Sequence, residues 1–305
     1  MNYDVHGVGL EVRADHPAVL AEMDRRLGAF ARTASNGVRL EFVTHGVAPP
    51  AGDSRPVYDT PYGTVDYFPQ TDTLYGELDG VRLHCDAGAG VARLQSRTFS
   101  GRELYLATHP LATLGLMELL ERRGRYALHA GCLAHEGRGV LVAGPTGSGK
   151  STLTLALVRA GLGFVSDDIV FLTEDGRALG FADAAGVTDD GAQRFGLEAA
   201  PKAEGFPKRL IRLEDAFETT PIASCEPRVI VFPEVVRDRP GEIEPIDPGD
   251  AYLRLVPDVL LTQPAGTQSH LQAIAALLDQ VSCYTVRSGT DLDHTAGLVR
   301  ELLVD

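Results

Sequence analysis

A glycine-rich segment between two apolar runs is the feature that most limits what this chain can fold into. It runs from Gly144 to Thr152 and fits the pattern G-x-x-x-x-G-K-[ST]. The β-branched run 139–143 before it predicts a buried strand, and the run 152–160 after it predicts a helix that ends at Gly161. A strand, a glycine-rich loop and a helix in this order form a phosphate-binding loop, or P-loop, so we predict an α/β nucleotide-binding core.

The residue types in this loop suit the triphosphate of a nucleotide. Backbone amides and the positive end of the helix dipole attract phosphate oxygens, and glycines allow positive φ angles and a close approach of the backbone. We expect Lys150 to contact the β- and γ-phosphates and the Ser151 hydroxyl to bind Mg²⁺. The residues expected to bind nucleotide and metal are Gly144, Pro145, Thr146, Gly147, Ser148, Gly149, Lys150, Ser151 and Thr152.

Two adjacent acids, Asp167 and Asp168, lie in the apolar run 163–172, which predicts the next strand. Neighbouring residues of a strand point to opposite faces, so both acids can face one site only where the strand ends. One carboxylate would then hold Mg²⁺, directly or through water, and the other would accept a proton from an incoming hydroxyl. The alternative is that one of them caps a turn or pairs with an arginine.

Composition excludes several classes of function. The formal net charge of −14 argues against binding nucleic acid, which needs a basic face. No apolar run approaches the length of a membrane span and the first residues do not form a secretory signal, so we expect a cytoplasmic protein without a membrane partner. The widely spaced Cys85, Cys132, Cys225 and Cys283 predict reduced thiols rather than disulfides or a zinc site. No signature of a transporter ATPase or of a GTPase is present.

The chain divides into two predicted domains. Residues 1–108 predict a mostly antiparallel, β-rich domain, and residues 109–305 predict the P-loop domain. The pattern weakens between residues 175 and 226, which predicts a lid or a substrate-recognition segment. Four cations in this segment are candidates for stabilising the charge of a transferred phosphate, although arginines in loops are more often solvated; they are Arg194, Lys208, Arg209 and Arg212.

Three stretches together resemble the catalytic core of the HPr kinase/phosphorylase family. They are Leu128-His129-Ala-Gly-Cys-Leu-Ala, the P-loop strand with its loop, and Gly163-Phe-Val-Ser-Asp167-Asp168-Ile-Val. That family has Leu-His in the strand before the P-loop and a double aspartate after its helix. The resemblance implies a compact P-loop kinase core of the phosphoenolpyruvate-carboxykinase type. It also implies that Asp167 activates the acceptor hydroxyl, that Asp168 is a metal-site acid, and that His129 lies beside the transferred phosphoryl group.

The resemblance covers residues 127–172 and departs elsewhere. Without it, a lone histidine in an apolar strand such as His129 would be interpreted as a core residue. The family's glutamate-containing signature after the double aspartate is absent, and the first hundred residues differ from the family's N-terminal domain. The chain is more similar to the shorter HPr-kinase-related proteins, some of which resemble kinases of lasso-peptide precursors. Candidate replacements for the missing acid are Asp183, Asp189, Asp190 and Glu198.

The function expected is that of an ATP- and Mg²⁺-dependent kinase that phosphorylates a serine hydroxyl of a peptide or small protein, such as a ribosomally made precursor peptide. Its catalytic residues would be His129, Lys150, Asp167 and Asp168. Two alternatives stay open: an ATP-binding switch or assembly factor that phosphorylates nothing, and a kinase of a small molecule such as free serine or a sugar. The sequence leaves the acceptor and homo-oligomer formation open.

Overall fold

The structure is a computed structural model that describes residues 1–32, 37–60, 62–181, 183–197, 208–236, 239–259 and 264–304. It is a mixed α/β structure with two compact units. The N-terminal unit comprises Met1–Arg125 with Leu261–Gln268, and the C-terminal unit comprises Tyr126–Leu260 with Ser269–Asp305. Within the described ranges, no helix is both long enough and apolar enough to span a bilayer.

An eight-stranded sheet forms the body of the N-terminal unit. Its strands are β1 (Asn2–Val5), β2 (Val8–Ala14), β3 (Val38–Val43), β4 (Arg55–Thr60), β5 (Gly63–Phe68), β6 (Thr73–Leu78), β7 (Val81–Asp86) and β8 (Val91–Gln95). They lie in the order β1-β2-β3-β8-β7-β6-β5-β4. The third strand in this order, β3, pairs parallel with β2 and with β8, and the remaining neighbours are antiparallel, so the mostly antiparallel character predicted for this region is confirmed.

Helices cover the buried face of this sheet: α1 (Pro17–Leu27), α2 (Gly101–Leu106), a π-helical turn (Ala107–Leu111) and α3 (Ala112–Glu121). The sequence predicted a domain boundary after residue 108. The structure keeps the chain to Arg125 in this unit, because α3 packs its apolar side on β3, β7 and β8. The contact is close at Gly115, where a Cβ would lie 3.0 Å from Cβ of Ala92.

Residues 103–107 are a short apolar run within the region predicted to be rich in strands, but they belong to α2 and the turn after it. A short apolar run does not by itself distinguish a strand from a helix. Here Glu103 favours the helix, because its carboxylate accepts hydrogen bonds from the Ser96 hydroxyl (2.6 Å) and the Thr98 amide (3.1 Å). These bonds fold the chain back at the start of α2.

The C-terminal unit contains a central sheet in which three parallel strands lie side by side. The strands of the whole unit are β9 (Tyr126–Leu128), β10 (Ala130–His135), β11 (Arg138–Ala143), β12 (Gly163–Ser166), β13 (Val170–Leu172), β14 (Ala178–Leu179), β15 (Ala185–Val187), β16 (Arg209–Ile211), β17 (Ser224–Val235), β18 (Glu242–Pro245) and β19 (Ser282–Ser288). Of these, β15 and β16 pair with each other as a separate two-stranded sheet. The long strand β17 pairs parallel with β11 and β19. Antiparallel β10 and β12 extend this sheet beyond β11, and β18 extends it beyond β19. A second group, β9-β13-β14, joins the first residues of β17.

The helices of this unit are α4 (Lys150–Arg159), α5 (Asp189–Phe195), α6 (Leu213–Ala216), α7 (Pro248–Leu255), a 3₁₀ turn (Val256–Asp258), the part of α8 (Pro264–Leu278) from Ser269 onward, and α9 (Leu292–Val304). A buried apolar cluster joins α4 and α9 to the sheet, with Leu153, Leu157, Val231 and Val299 among its members. Burying such side chains contributes about 1.5–3 kcal/mol each. This packing fixes the start of α4 against the end of β11.

Two strands that the sequence predicted as continuous are each broken at a predicted functional residue. The run 127–134 divides into β9 and β10 with His129 between them, and the run 163–172 divides into β12 and β13 with Asp167 and Asp168 in the bend. Because β9 pairs with β13 and β10 with β12, the two breaks lie side by side. The two aspartates therefore follow the end of a strand, which is the condition that allows both to face one site.

Candidate functional site

The glycine-rich loop connects the end of β11 to the first turn of α4, as predicted. Gly144, Gly147 and Gly149 have φ angles of 131°, 87° and 103°, a region that L side chains rarely adopt. At Gly149 a Cβ would also lie 3.1 Å from Cγ2 of Val235, at the end of β17. Of the other residues expected to bind nucleotide, Pro145 and Thr146 are exposed and Ser148, Ser151 and Thr152 are half-buried. The buried hydroxyl oxygen of Ser148 has no hydrogen-bond partner within the described ranges.

Lys150 is the first residue of α4, and only 9% of it is exposed. Its Nζ donates a hydrogen bond to the carbonyl oxygen of Gly144, at the other end of the loop. The ammonium group is therefore held within the loop, beside the backbone amides that the sequence predicts to bind phosphate.

Asp167 faces the P-loop from the end of β12. It is 5% exposed, and its Oδ2 lies 3.5 Å from the Ser151 hydroxyl oxygen. Its Oδ1 is buried and has no hydrogen-bond partner in the part of the chain that the structure covers. Burial raises the pKa of Asp167 to about 7, and the adjacent charge of Asp168 acts in the same direction. An unpartnered buried carboxylate oxygen beside a P-loop serine is suited to a ligand that carries positive charge.

Asp168 points the other way and is 72% exposed, with its Oδ1 2.9 Å from Nε2 of His129. Desolvation acts to raise the pKa of Asp168, but the hydrogen bond and charge of His129 outweigh it, and the pKa falls below its ordinary value. Asp168 is therefore an ionised acceptor at neutral pH, and His129 Nε2 is the donor. The structure thus joins the histidine and the second aspartate, two residues far apart in sequence.

One of the four candidate cations, Lys208, lies at the site. Its charge lowers the pKa of both Asp167 and Asp168, and its side chain crosses Gly186, where a Cβ would lie 3.2 Å from the lysine Cδ. The backbone amide of Gly186 also acts to lower the pKa of Asp167. Within the described ranges Lys208 forms no ion pair.

The other candidates in residues 175–226 have different surroundings. Arg209 pairs with Asp189 at 3.0 Å, Arg212 contacts Glu214 at 2.9 Å, and Arg194 is exposed. Of the possible replacements for the missing family acid, Asp183 accepts a hydrogen bond from the amide of Ala184, and Asp190 is exposed in the first turn of α5. Glu198 lies outside the described residues.

Sequence reasoning missed a third acid, Asp258, in the 3₁₀ turn after α7. It is 5% exposed, and its Oδ2 accepts a hydrogen bond of 2.9 Å from the amide of Gly144. Its backbone oxygen accepts a hydrogen bond of 2.9 Å from the amide of His129, and its Oδ1 lies 3.7 Å from Nδ1 of the His129 ring. Burial raises the pKa of Asp258 above its ordinary value, against the charges of Lys150 and His129. The one available signal was an acid within the apolar run 255–261.

The side chains of the site could bind a magnesium ion through one or two protein oxygens, with phosphates and water completing its coordination. Within the described ranges, no three or more histidine, cysteine or acidic side chains are grouped to form a metal cage. Mg²⁺ does not require such a cage, since it commonly takes one or two protein oxygens together with phosphates and water. The Ser151 hydroxyl and the unpartnered oxygen of Asp167 fit that requirement.

The four cysteines are free and buried, as predicted, and Sγ of Cys132 lies 3.6 Å from Sγ of Cys225. They line the core of the sheets rather than the site.

The fold and the site together define a mixed α/β protein whose glycine-rich loop follows a parallel strand and faces Asp167. Among solved structures, the Hpr(Ser) kinase/phosphatase from Coxiella burnetii is similar to this chain, with 17% identity and a TM-score of 0.28 over 58% of this chain and 87% of that one. The sequence matches no protein-family model and no curated protein. The likeness to HPr kinases therefore rests on the motifs and stays a prediction.

Proposed function

We propose that this protein is a kinase that uses ATP and Mg²⁺ to phosphorylate a serine hydroxyl of a peptide or small protein. The observation that carries the proposal is the convergence of Asp167, Asp168 and His129 on one end of the central sheet, beside Lys150 and Ser151. Phosphoryl transfer needs a phosphate cradle, a metal-side acid and a group that accepts the hydroxyl proton. Each of these needs has a candidate within this group of residues.

The P-loop residues would bind the nucleotide. Bound ATP and Mg²⁺ would supply the γ-phosphoryl group and neutralise its charge. Lys150 would exchange the carbonyl of Gly144 for a phosphate oxygen, and the loop amides would orient the triphosphate. Lys208 would place a second positive charge on the acceptor side of the γ-phosphate.

The distances in the structure favour other roles for the two aspartates than the family resemblance, which gives Asp167 the role of base. Asp167 is the acid next to Ser151, and it is almost completely buried. Asp168 is ionised, exposed and oriented by His129, so an incoming hydroxyl can reach it. We therefore assign Asp167 to the metal side and Asp168 to the proton of the acceptor. A cation at Ser151 would keep Asp167 ionised despite its raised pKa.

Magnesium titrations of two variants distinguish the assignments. Loss of a metal-side acid raises the Mg²⁺ concentration needed for half-maximal transfer, whereas loss of the proton acceptor lowers the rate at saturating Mg²⁺. We expect the first result for Asp167→Asn and the second for Asp168→Asn, with a rate loss of about 100-fold or more. The opposite pattern would restore Asp167 as the base. Nearly full transfer by Asp167→Asn at low Mg²⁺ would remove it from both roles.

The activity itself is tested with ATP labelled on its γ-phosphate. The purified chain is incubated with serine-containing peptides and with small proteins encoded beside its gene, and label on the acceptor is measured. We expect Lys150→Ala to abolish transfer and weaken nucleotide binding, and Arg194→Ala, an exposed cation of the same unit, to change neither. ATP binding with no labelled acceptor would favour a nucleotide switch, and label only on free serine or a sugar would favour a small-molecule kinase.

A further inference from the structure

The first residue of the glycine-rich loop is held from two sides. Its carbonyl oxygen accepts a hydrogen bond from Lys150, and its amide donates one of 2.9 Å to Oδ2 of Asp258. If Lys150 moves to a phosphate, the carbonyl of Gly144 loses its partner, while the bond to Asp258 is unaffected. The bond to Asp258 then remains as a support for Gly144, whose φ of 131° is one that L side chains rarely adopt.

The same acid lies behind His129. Residue Val259 forms a β-bridge with Leu128, which places the turn that carries Asp258 against the break between β9 and β10. The Asp258 backbone oxygen accepts the His129 amide, and Oδ1 lies 3.7 Å from the ring Nδ1, which is a charge contact rather than a hydrogen bond. The other ring nitrogen, Nε2, contacts Asp168. The imidazole is thus flanked by two carboxylates, one buried and one exposed.

We propose that Asp258 is a positioning residue that connects the P-loop to His129 on the acceptor side of the site. Its carboxylate oxygen fixes the first peptide of the P-loop, and its negative charge fixes the ring of His129 so that Nε2 faces Asp168. The first task needs only a hydrogen-bond acceptor, whereas the second needs the charge. This inference rests on the proposed kinase function for its second half only.

Two substitutions separate the tasks. Asp258→Asn keeps an oxygen that can accept the amide of Gly144 but removes the charge, and Asp258→Ala removes both. We expect Asp258→Ala to raise the dissociation constant for ATP by about 10-fold or more, since it leaves a buried amide unsatisfied, and Asp258→Asn to change it by less than about threefold. Transfer of the labelled phosphoryl group at saturating ATP should fall at least about 10-fold in both variants. Asp250→Asn, an exposed acid on α7, is the matched control and should change neither quantity.

A double-mutant cycle with His129→Gln tests whether Asp258 acts through the histidine. If it does, adding Asp258→Asn to His129→Gln lowers the transfer rate by less than about twofold beyond His129→Gln alone. Multiplicative losses would overturn the coupling, and full transfer by Asp258→Asn would overturn the need for charge. Equal ATP affinity in Asp258→Ala and wild type would overturn the inference that the Asp258 carboxylate holds the first peptide of the P-loop in place.

Failure of the proposed function gives a different result. If the wild-type chain binds ATP but neither transfers nor hydrolyses it, the kinase proposal fails, while the ATP affinities of the two Asp258 variants still decide the anchor. Thermal unfolding of each variant shows whether it is folded. Should Asp258→Ala fail to fold, Asp258→Ser supplies the variant with a shortened side chain.

Discussion

Replacing Asp167 by asparagine should make the protein more stable while it impairs the proposed chemistry. The carboxyl group is 5% exposed, and burial raises its pKa from 3.8 to about 7. A group that holds its proton more tightly in the folded state destabilises that state wherever the unfolded chain has lost the proton. The destabilisation is absent below pH 3.8, grows as the pH rises towards 7, and is complete above it.

The size of the effect follows from the pKa shift. Since one pKa unit corresponds to about 1.4 kcal/mol, ionised Asp167 destabilises the fold by about 4 kcal/mol at pH 8 in the absence of a cation. The asparagine amide would leave part of its own hydrogen-bonding capacity unused, which costs about 1–2 kcal/mol. We therefore expect Asp167→Asn to raise the free energy of unfolding by about 2–3 kcal/mol, or the Tm by about 4–12 °C for a unit of this size.

The assay is thermal unfolding with a metal chelator present, at several pH values between 5 and 8. The gain of Asp167→Asn over wild type should increase with pH and level off above pH 7, and added Mg²⁺ with ATP should reduce it. Asp168→Asn is the matched control, because the pKa of that exposed neighbour is lowered rather than raised, and it should give no stabilisation. A wild-type Tm equal to that of Asp167→Asn at pH 8, or a gain that is the same at pH 5, would refute the reasoning.

Further predictions concern the packing and charge of other residues. At Gly131 a Cβ would lie 2.6 Å from Oγ1 of buried Thr154, so Gly131→Ala should lower the free energy of unfolding by about 1–3 kcal/mol and weaken ATP binding. Gly297 has open space around it, so Gly297→Ala should not destabilise the protein. Equal Tm values of the two variants in thermal unfolding would contradict this prediction. Glu118 is 2% exposed, and burial raises its pKa well above the ordinary value, so its charge destabilises the N-terminal unit increasingly above pH 4.5. Glu118→Leu should therefore stabilise this unit by about 1–3 kcal/mol at pH 8 and by less at pH 5. Denaturant unfolding at the two pH values measures the difference. An acyl-phosphate derivative of ATP, which acylates amines near the triphosphate, should label Lys150 and Lys208, and mass spectrometry that finds Lys208 unlabelled would contradict its place in the site.

The local parts of the site could be predicted from the sequence. The glycine-rich loop lies between a strand and a helix, as the pattern predicts, because a β-branched run, three glycines and a run of helix-forming residues determine the local backbone. The free thiols of the cysteines likewise agree with the prediction from their wide spacing. The contact between Asp168 and His129 was not predicted: the family resemblance implied a metal-site role for Asp168 and a place beside the transferred phosphoryl group for His129.

The parts that depend on distant segments could not be predicted. The breaks at His129 and at Asp167 arise because each strand changes its pairing partners there, and a run of apolar residues does not record which strands will lie beside it. Among four candidate cations, tertiary packing alone brings Lys208 to the aspartates. The same holds for Asp258, whose neighbours in sequence are apolar and whose partners in space are Gly144 and His129.

The distance in sequence between the P-loop and Asp258 also affects how the protein is made. During synthesis the glycine-rich loop leaves the ribosome well before the turn that anchors its first peptide, so a nascent chain carries the loop without its anchor. If the chain binds nucleotide as proposed, the finished chain would bind it more tightly than a fragment that ends before the anchor, and binding would favour completion of folding. A chain truncated just before Val256 would lack Asp258, and the amide of Gly144 would have lost this acceptor.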